Sequence, residues 1–221
     1  MRTETFVETL AKRRVSAILR CFDTEMAAAA MERAIAGGFE IIEFTLSIPG
    51  ALDLIGDFSR RDGLIVGAGT VLTAAEAEAA IGAGADFLVS PVVDEAVIEV
   101  ASGAGIASIP GACTPTEMMR AHHAGAPLIK LFPAPAAGPV WLSSVLGPLP
   151  FLKVVPTNGV DVDNLSDWLE AGAYGAGFAA TLFPTQDLTP AGLDRIEARA
   201  HAIVSQICAP AVVDRAIADV G

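Results

Sequence analysis

Positive charge is scarce in this chain. Fourteen lysines and arginines stand against 26 acidic residues, a formal net charge of −12, and no basic stripe is present that could neutralise a phosphate backbone. Nucleic acid is therefore not expected as a partner. Long apolar runs are missing as well: no stretch reaches the roughly 18–20 uninterrupted apolar residues of a membrane span. The opening MRTETFVETLAKRR scatters its charges and contains no apolar core of the kind a secretory leader carries. A soluble, cytoplasmic protein without membrane contact is expected. Cysteine is rare too, and Cys21, Cys113 and Cys208 form an odd set without CxxC spacing. That predicts free thiols and supports neither a disulfide framework nor a zinc site, so no metal and no cofactor are expected.

What is present is an apolar, repetitive chain. It has 221 residues, 52% of them hydrophobic, and single barrel or doubly wound domains reach about 200–250 residues. One domain over 1–221 is expected. Short β-branched runs alternate with Ala/Glu-rich segments of helical period. Strands are predicted at Val15–Arg20, Ile41–Leu46, Leu64–Gly67, Phe87–Ser90, Ala107–Ile109, Leu128–Phe132, Lys153–Pro156 and Gly175–Ala179, each followed by a helical segment.

Helix starts are marked by Thr24 with Glu25, Thr73 with Glu76, Asp94 with Glu95 and Thr114 with Glu117; the second and fourth pairs have capping-box spacing. Helix ends are marked by Gly38, Gly84, Gly105, Gly125 and Gly172. A leading helix within residues 1–14, Glu4–Arg13, precedes the first strand. The last helix runs from about Pro190 to Ile207, and 208–221 form a tail. Eight βα units fit an α/β fold of the (β/α)8 TIM-barrel class with an extra N-terminal helix. An open doubly wound sheet is the alternative, but the first βα turn, Arg20-Cys21-Phe22-Asp23, lacks the glycines of a dinucleotide fingerprint. In a barrel, chemistry gathers at the C-terminal ends of the strands.

Two charges sit where apolar residues belong. Lys130, one of three lysines, interrupts the strand-like Leu128-Ile129-Lys130-Leu131-Phe132; burial lowers a lysine pKa and leaves free amine able to attack a carbonyl. Glu43 has the same character in Ile41-Ile42-Glu43-Phe44-Thr45-Leu46, where alternation puts Glu43 and Thr45 on one face. A structural ion pair would also account for either residue alone. Together they match Schiff-base chemistry, which needs a proton acceptor and donor beside the amine.

Arg20, at the end of the first strand, places a guanidinium where it can fork onto an anion or lie on the surface. Gly67-Ala68-Gly69-Thr70 offers a backbone open to a small anion with a hydroxyl at its rim. Thr157-Asn158-Gly159 and Gly175-Ala176-Gly177 lie where barrels build phosphate sites, or are simply tight turns. The helical His122, His123 and His201 are assigned neither to catalysis nor to a metal.

In order along about residues 15–185, IEFTL, VGAGTVL, SP, IPGACTPTE, IKLFPA and VPTNGV resemble the 2-keto-3-deoxy-6-phosphogluconate/4-hydroxy-2-oxoglutarate aldolases and their 2-keto-3-deoxy-6-phosphogalactonate relatives. The resemblance implies a metal-free class I aldolase, typically a homotrimer. Such an enzyme cleaves a 2-keto-3-deoxy sugar acid, 6-phosphorylated in these relatives, to pyruvate and an aldehyde such as glyceraldehyde 3-phosphate. It implies Lys130 as the Schiff-base lysine and Glu43 as the general acid/base. Thr70 and Thr157 would surround the keto acid and Phe132 would line its methyl or methylene side. Arg20, Thr70 and the backbone of Gly159 and of Gly175 to Gly177 are expected to hold the anionic ends of the substrate. Ser47 stands where the gluconate-type enzymes carry a carboxylate-holding arginine, and Arg20 in AILR matches an arginine of the galactonate-type branch. Asn158 replaces a glycine of the PTGG turn, and no serine follows Gly177. Rival readings are an aldolase or decarboxylase of unphosphorylated 4-hydroxy-2-oxo acids, a non-catalytic keto-acid- or phosphate-binding barrel, and an epimerase or isomerase acting on sugar phosphates. The mean hydropathy of +0.52 further suggests surface withdrawn into subunit contacts.

Overall fold

The computed structural model describes residues 1–207; the expected tail at 208–221, with Cys208, lies outside the described residues. The strands are β1 (Val15–Leu19), β2 (Ile41–Thr45), β3 (Ile65–Gly69), β4 (Phe87–Val89), β5 (Ala107–Ile109), β6 (Gly111–Ala112), β7 (Ile129–Leu131), β8 (Val154–Pro156) and β9 (Ala176–Phe178). All pairings are parallel. One run has the order β5-β4-β3-β2-β1-β9 and the other β6-β7-β8. A parallel bridge between Thr157 and Gly177 joins β8 to β9, and β5 continues into β6 through Pro110, so the circuit closes as a (β/α)8 barrel. Pro110 has no N–H to give, and the fifth strand breaks there. Its lower half pairs with β4 and its upper half with β7, while the Pro110 carbonyl accepts Lys130 N–H at 2.9 Å.

The helices are α1 (Thr3–Arg13), α2 (Thr24–Ala36), α3 (Ala51–Phe58), α4 (Ala74–Ala83), α5 (Glu95–Gly103), α6 (Pro115–His123), α7 (Pro139–Leu146), α8 (Leu165–Glu170) and α9 (Leu193–Ile207). Thr73 with Glu76 and Thr114 with Glu117 form complete capping boxes, and Asp94 accepts Val97 N–H at 3.0 Å. At α2 the expected cap is corrected. Asp23, not Thr24, accepts Met26 N–H at 2.7 Å, and the Thr24 hydroxyl donates instead to the Pro49 carbonyl at 2.6 Å. Two 3-10 turns, Thr185–Asp187 and Pro190–Gly192, separate β9 from α9, so the last helix, expected from about Pro190, opens with a 3-10 turn and is α-helical from Leu193.

Strand alternation divides the core in two. Ile42, Phe44, Val66, Ala68, Ile129 and Leu131 point outward into the large cluster under the helices. Ile41, Ile65, Phe87, Ile109 and Val155 point inward and pack with Phe6, Val7 and Leu10 of α1. Helix α1 therefore plugs the N-terminal end of the barrel, with Phe6 stacked on Phe87 at 4.5 Å. The lumen retains a void of only about 10 Å³, room for one water at most. A substrate must enter from the open C-terminal end.

Candidate active site

Glu43 and Lys130 reach the lumen because their neighbours are drawn out into the apolar layer. On β2 the outward residues are Ile42 and Phe44, and on β7 they are Ile129 and Leu131; the intervening side chains must point inward. Both line the same enclosed space with Ser16, Ile18 and Thr157. Glu43 is 2% exposed and Lys130 9%, and neither forms an ion pair among the described residues. Glu43 Oε1 is buried without a hydrogen-bond partner, an arrangement that costs stability and marks sites kept for function.

Burial pushes the Glu43 carboxyl above the ordinary carboxylate range, with Lys130 and Arg20 opposing. Burial also pulls the Lys130 ammonium below the usual lysine range; Glu43 opposes this and Arg20 adds to it. The two shifts favour a neutral amine and a neutral acid together. Phe132, the next residue of that face, presents its ring 5.0 Å from Lys130 Nζ.

Gly67 and Gly69 make room for neighbours, and this replaces the expectation of a flexible anion-binding backbone. A Cβ on Gly69 would stand 1.8 Å from Glu43 Oε1, and one on Gly67 would stand 2.3 Å from the Phe87 ring. The acid of β2 thus lies directly on the bare backbone of β3.

At the mouth, Arg20 crosses from the end of β1 to donate to Ser47 Oγ at 3.2 Å and Thr70 Oγ1 at 3.0 Å. Ser47 Oγ is in turn 2.9 Å from Thr45 Oγ1. Thr70 has φ +60, a conformation that costs a β-branched residue about 1–3 kcal/mol and concentrates at functional sites. The hydrogen bond from Arg20 to Ser47 and the place of Ser16 on the lumen wall escaped sequence reasoning. Ser47 stands beyond the alternating strand, and Ser16 carries no charge to stand out in an apolar run.

The remaining expected residues divide. Thr157 is buried and faces Gly177 across the β8–β9 seam, and Gly159, φ +108, turns at the rim against Ala134. Gly177 forms part of the wall, where a Cβ would meet Ile18 and Thr157 at 2.7 Å. Gly175 is corrected: it precedes β9 at the plugged end, against the Arg14 carbonyl and Leu10, and cannot meet a substrate at the mouth. Cys21 is buried and Cys113 exposed, both as free thiols.

A buried amine whose charged form is disfavoured, a buried acid and a guanidinium at the mouth can together capture a carbonyl compound that carries an anionic group. Comparison with known proteins agrees. Residues 7–199 match the family model described as KDPG and KHG aldolase. The chain is 35% identical over 175 residues to the 2-dehydro-3-deoxy-6-phosphogalactonate aldolase of Escherichia coli strain K12, covering 76% of this chain and 83% of that one. Its fold resembles that of the KDPG aldolase of Legionella pneumophila with pyruvate captured as a covalent carbinolamine intermediate. The TM-score is 0.79 at 27% identity, over 89% of this chain and 97% of that one. A cube-shaped protein cage, designed by fusing symmetric oligomeric domains, matches with a TM-score of 0.78 at 31% identity, over 94% of this chain and 74% of that one.

Proposed function

The chain belongs to the KDPG and KHG aldolase family, and on that premise we propose that Lys130 is the Schiff-base nucleophile of a class I aldolase. The substrate is a 2-keto-3-deoxy sugar acid, phosphorylated at C6 as in the relatives, and the products are pyruvate and an aldehyde. The observation that carries this reading is the unpaired burial of Lys130 and Glu43 in one lumen beneath Arg20.

Lys130, as the free amine, attacks the C2 carbonyl; Glu43 gives its proton to the departing C2 hydroxyl, and loss of water leaves an iminium that draws electrons from C3 and a Glu43 carboxylate. Glu43, through a water, takes the proton of the C4 hydroxyl as the C3–C4 bond breaks and the aldehyde leaves. The remaining enamine is protonated at C3 to an iminium, and hydrolysis frees pyruvate and the amine. Arg20 holds the substrate carboxylate, taking over from the arginine that Ser47 replaces. Thr70 and Thr157 flank the keto acid, and Phe132 covers its apolar side. Gly159 borders the distal end.

The same proposal includes a cytoplasmic homotrimer. Exposed apolar side chains on the strand-to-helix loops and at the start of α7, Phe22, Val92 and Val140, support association. No helix among the described residues is long and apolar enough to cross a membrane. The test of the catalytic reading is turnover of the folded variants. Lys130→Ala is expected to abolish cleavage, and Glu43→Gln to slow it by about 10²–10⁴-fold. Undiminished cleavage by Lys130→Ala overturns the reading.

A further inference from the structure

A closed barrel staggers neighbouring strands by about one residue and stacks its inward side chains in layers of about four, drawn from alternate strands. Followed round the circuit, the registers put Glu43, Val89, Lys130 and Gly177 in one layer. Ser16, Gly67, Ile109 and Val155 form the layer beneath it, toward the end that α1 plugs. Ser16, 8% exposed, is the one polar side chain of this lower layer. It lies in register with Gly177, the position of the upper layer that has no side chain.

No hydrogen bond ties the hydroxyl of Ser16 or of Thr157 to the described residues, and a buried hydroxyl costs stability unless it is bonded. Thr157 Oγ1 leans over Gly177 from the β8 side, 2.7 Å from where a Cβ would stand. The lumen void of about 10 Å³ is lined in its polar part by Ser16, Glu43, Lys130 and Thr157. That is the size of a single water, and these four groups supply the roughly two to four partners a buried water needs. Phe6 and Leu10 of α1 line the same void from below, on the side away from an incoming substrate.

We infer that Ser16 seats one water in the floor of the lumen, and that this water carries to Glu43 the proton that Lys130 sheds on attacking the keto carbon. The inference rests on the aldolase reading above and adds a positioning residue to it. Attack by the amine leaves a positive charge on Nζ, which still holds both its protons, and a negative charge on the C2 oxygen. Glu43 protonates that oxygen and becomes a carboxylate. The water takes one proton from Nζ and gives one of its own to Glu43, which is again an acid when the C2 hydroxyl has to leave. The departing water molecule thus carries one proton from Glu43 and one from the amine, and the iminium keeps the other amine proton on Nζ.

The experiment compares the wild-type protein with Ser16→Ala, which stays small and loses the hydroxyl. A high-resolution crystal structure of the wild type is expected to show a water within hydrogen-bond distance of Ser16 Oγ, and that of Ser16→Ala to lack it. Rapid-quench borohydride trapping with pyruvate is expected to show Schiff-base formation slowed about tenfold in the variant, the worth of a hydrogen bond. The fraction of Lys130 modified at equilibrium should stay the same, because a relay speeds formation and hydrolysis alike. The inference is overturned by a wild-type floor without the water, by a variant that forms the adduct at the wild-type rate, or by an equilibrium fraction that falls with the rate, the mark of a misplaced Lys130 or Glu43. In each of these cases trapping on wild-type Lys130 leaves the aldolase reading standing. Folded wild-type protein that traps no pyruvate overturns both.

Discussion

Arg20 and Ser47 are joined by a 3.2 Å hydrogen bond that carries the guanidinium from the end of β1 over the end of β2. The serine occupies the place where gluconate-type relatives put an arginine of their own, and it is small enough to let Arg20 lie across it. On the proposed reading, an anchor from one strand stands in for an anchor from the next. Arg20→Met is expected to raise KM for the keto acid by about 10–100-fold, the worth of hydrogen bonds to a charged group, while the protein stays folded. Adding Ser47→Arg to that variant should recover much of the loss. Steady-state kinetics of the single and double variants check this, and an unchanged KM in Arg20→Met would remove Arg20 from the carboxylate site.

Gly69 and Gly67 separate catalysis from packing. Gly69→Ala forces a methyl onto the Glu43 carboxylate, and Gly67→Ala forces one onto the Phe87 ring. Each overpacking should destabilise by about 1–3 kcal/mol. Only Gly69→Ala displaces the acid, so kcat should fall at least about tenfold further in that variant than in Gly67→Ala. Equal kcat values in the two, measured at a temperature where both are folded, would dissociate Glu43 from the chemistry.

Lys130 and Glu43 should both cost the fold stability near neutral pH, with opposite dependence on pH. With its pKa lowered in the folded protein, Lys130 binds fewer protons there than in the unfolded chain between the two pKa values. Stability from this group therefore rises with pH through that window. The raised Glu43 carboxyl holds a proton the unfolded chain has lost, so its contribution falls as pH rises from the ordinary carboxylate range. Lys130→Met is expected to stabilise the protein at pH 7 by about 1–3 kcal/mol, roughly 2–4 °C in Tm per kcal/mol for a chain of this size. The gain should shrink toward the ordinary lysine pKa. Thermal unfolding of the two proteins across pH reads this directly, and a Tm that falls at pH 7 would show that the buried lysine is compensated.

The barrel was legible because its signals are local and repeated: apolar strands of period two, Thr73–Glu76 and Thr114–Glu117 boxes, and glycines such as Gly84 and Gly172 that adopt positive φ. Lys130 and Glu43 were legible because a charge inside an apolar strand has few structural uses. What escaped depends on three-dimensional neighbours. The Thr24 hydroxyl looks like a cap until Pro49 is placed beside it. Pro110 sits between two strands that pair in different directions. Gly175 and Gly177 are two residues apart in sequence, yet one lies at the plugged end and the other in the wall beside Thr157. The space-making role of Gly69 follows only from where the Glu43 side chain ends.

The measurement closest to the central claim is borohydride reduction in the presence of pyruvate, followed by mass spectrometry of the intact protein and its peptides. A pyruvate-derived mass increment on the peptide containing Lys130, absent in Lys130→Ala, is the expected result. Folded protein that takes up no adduct, or takes it up at Lys12 or Lys153 instead, would contradict Lys130 as the nucleophile.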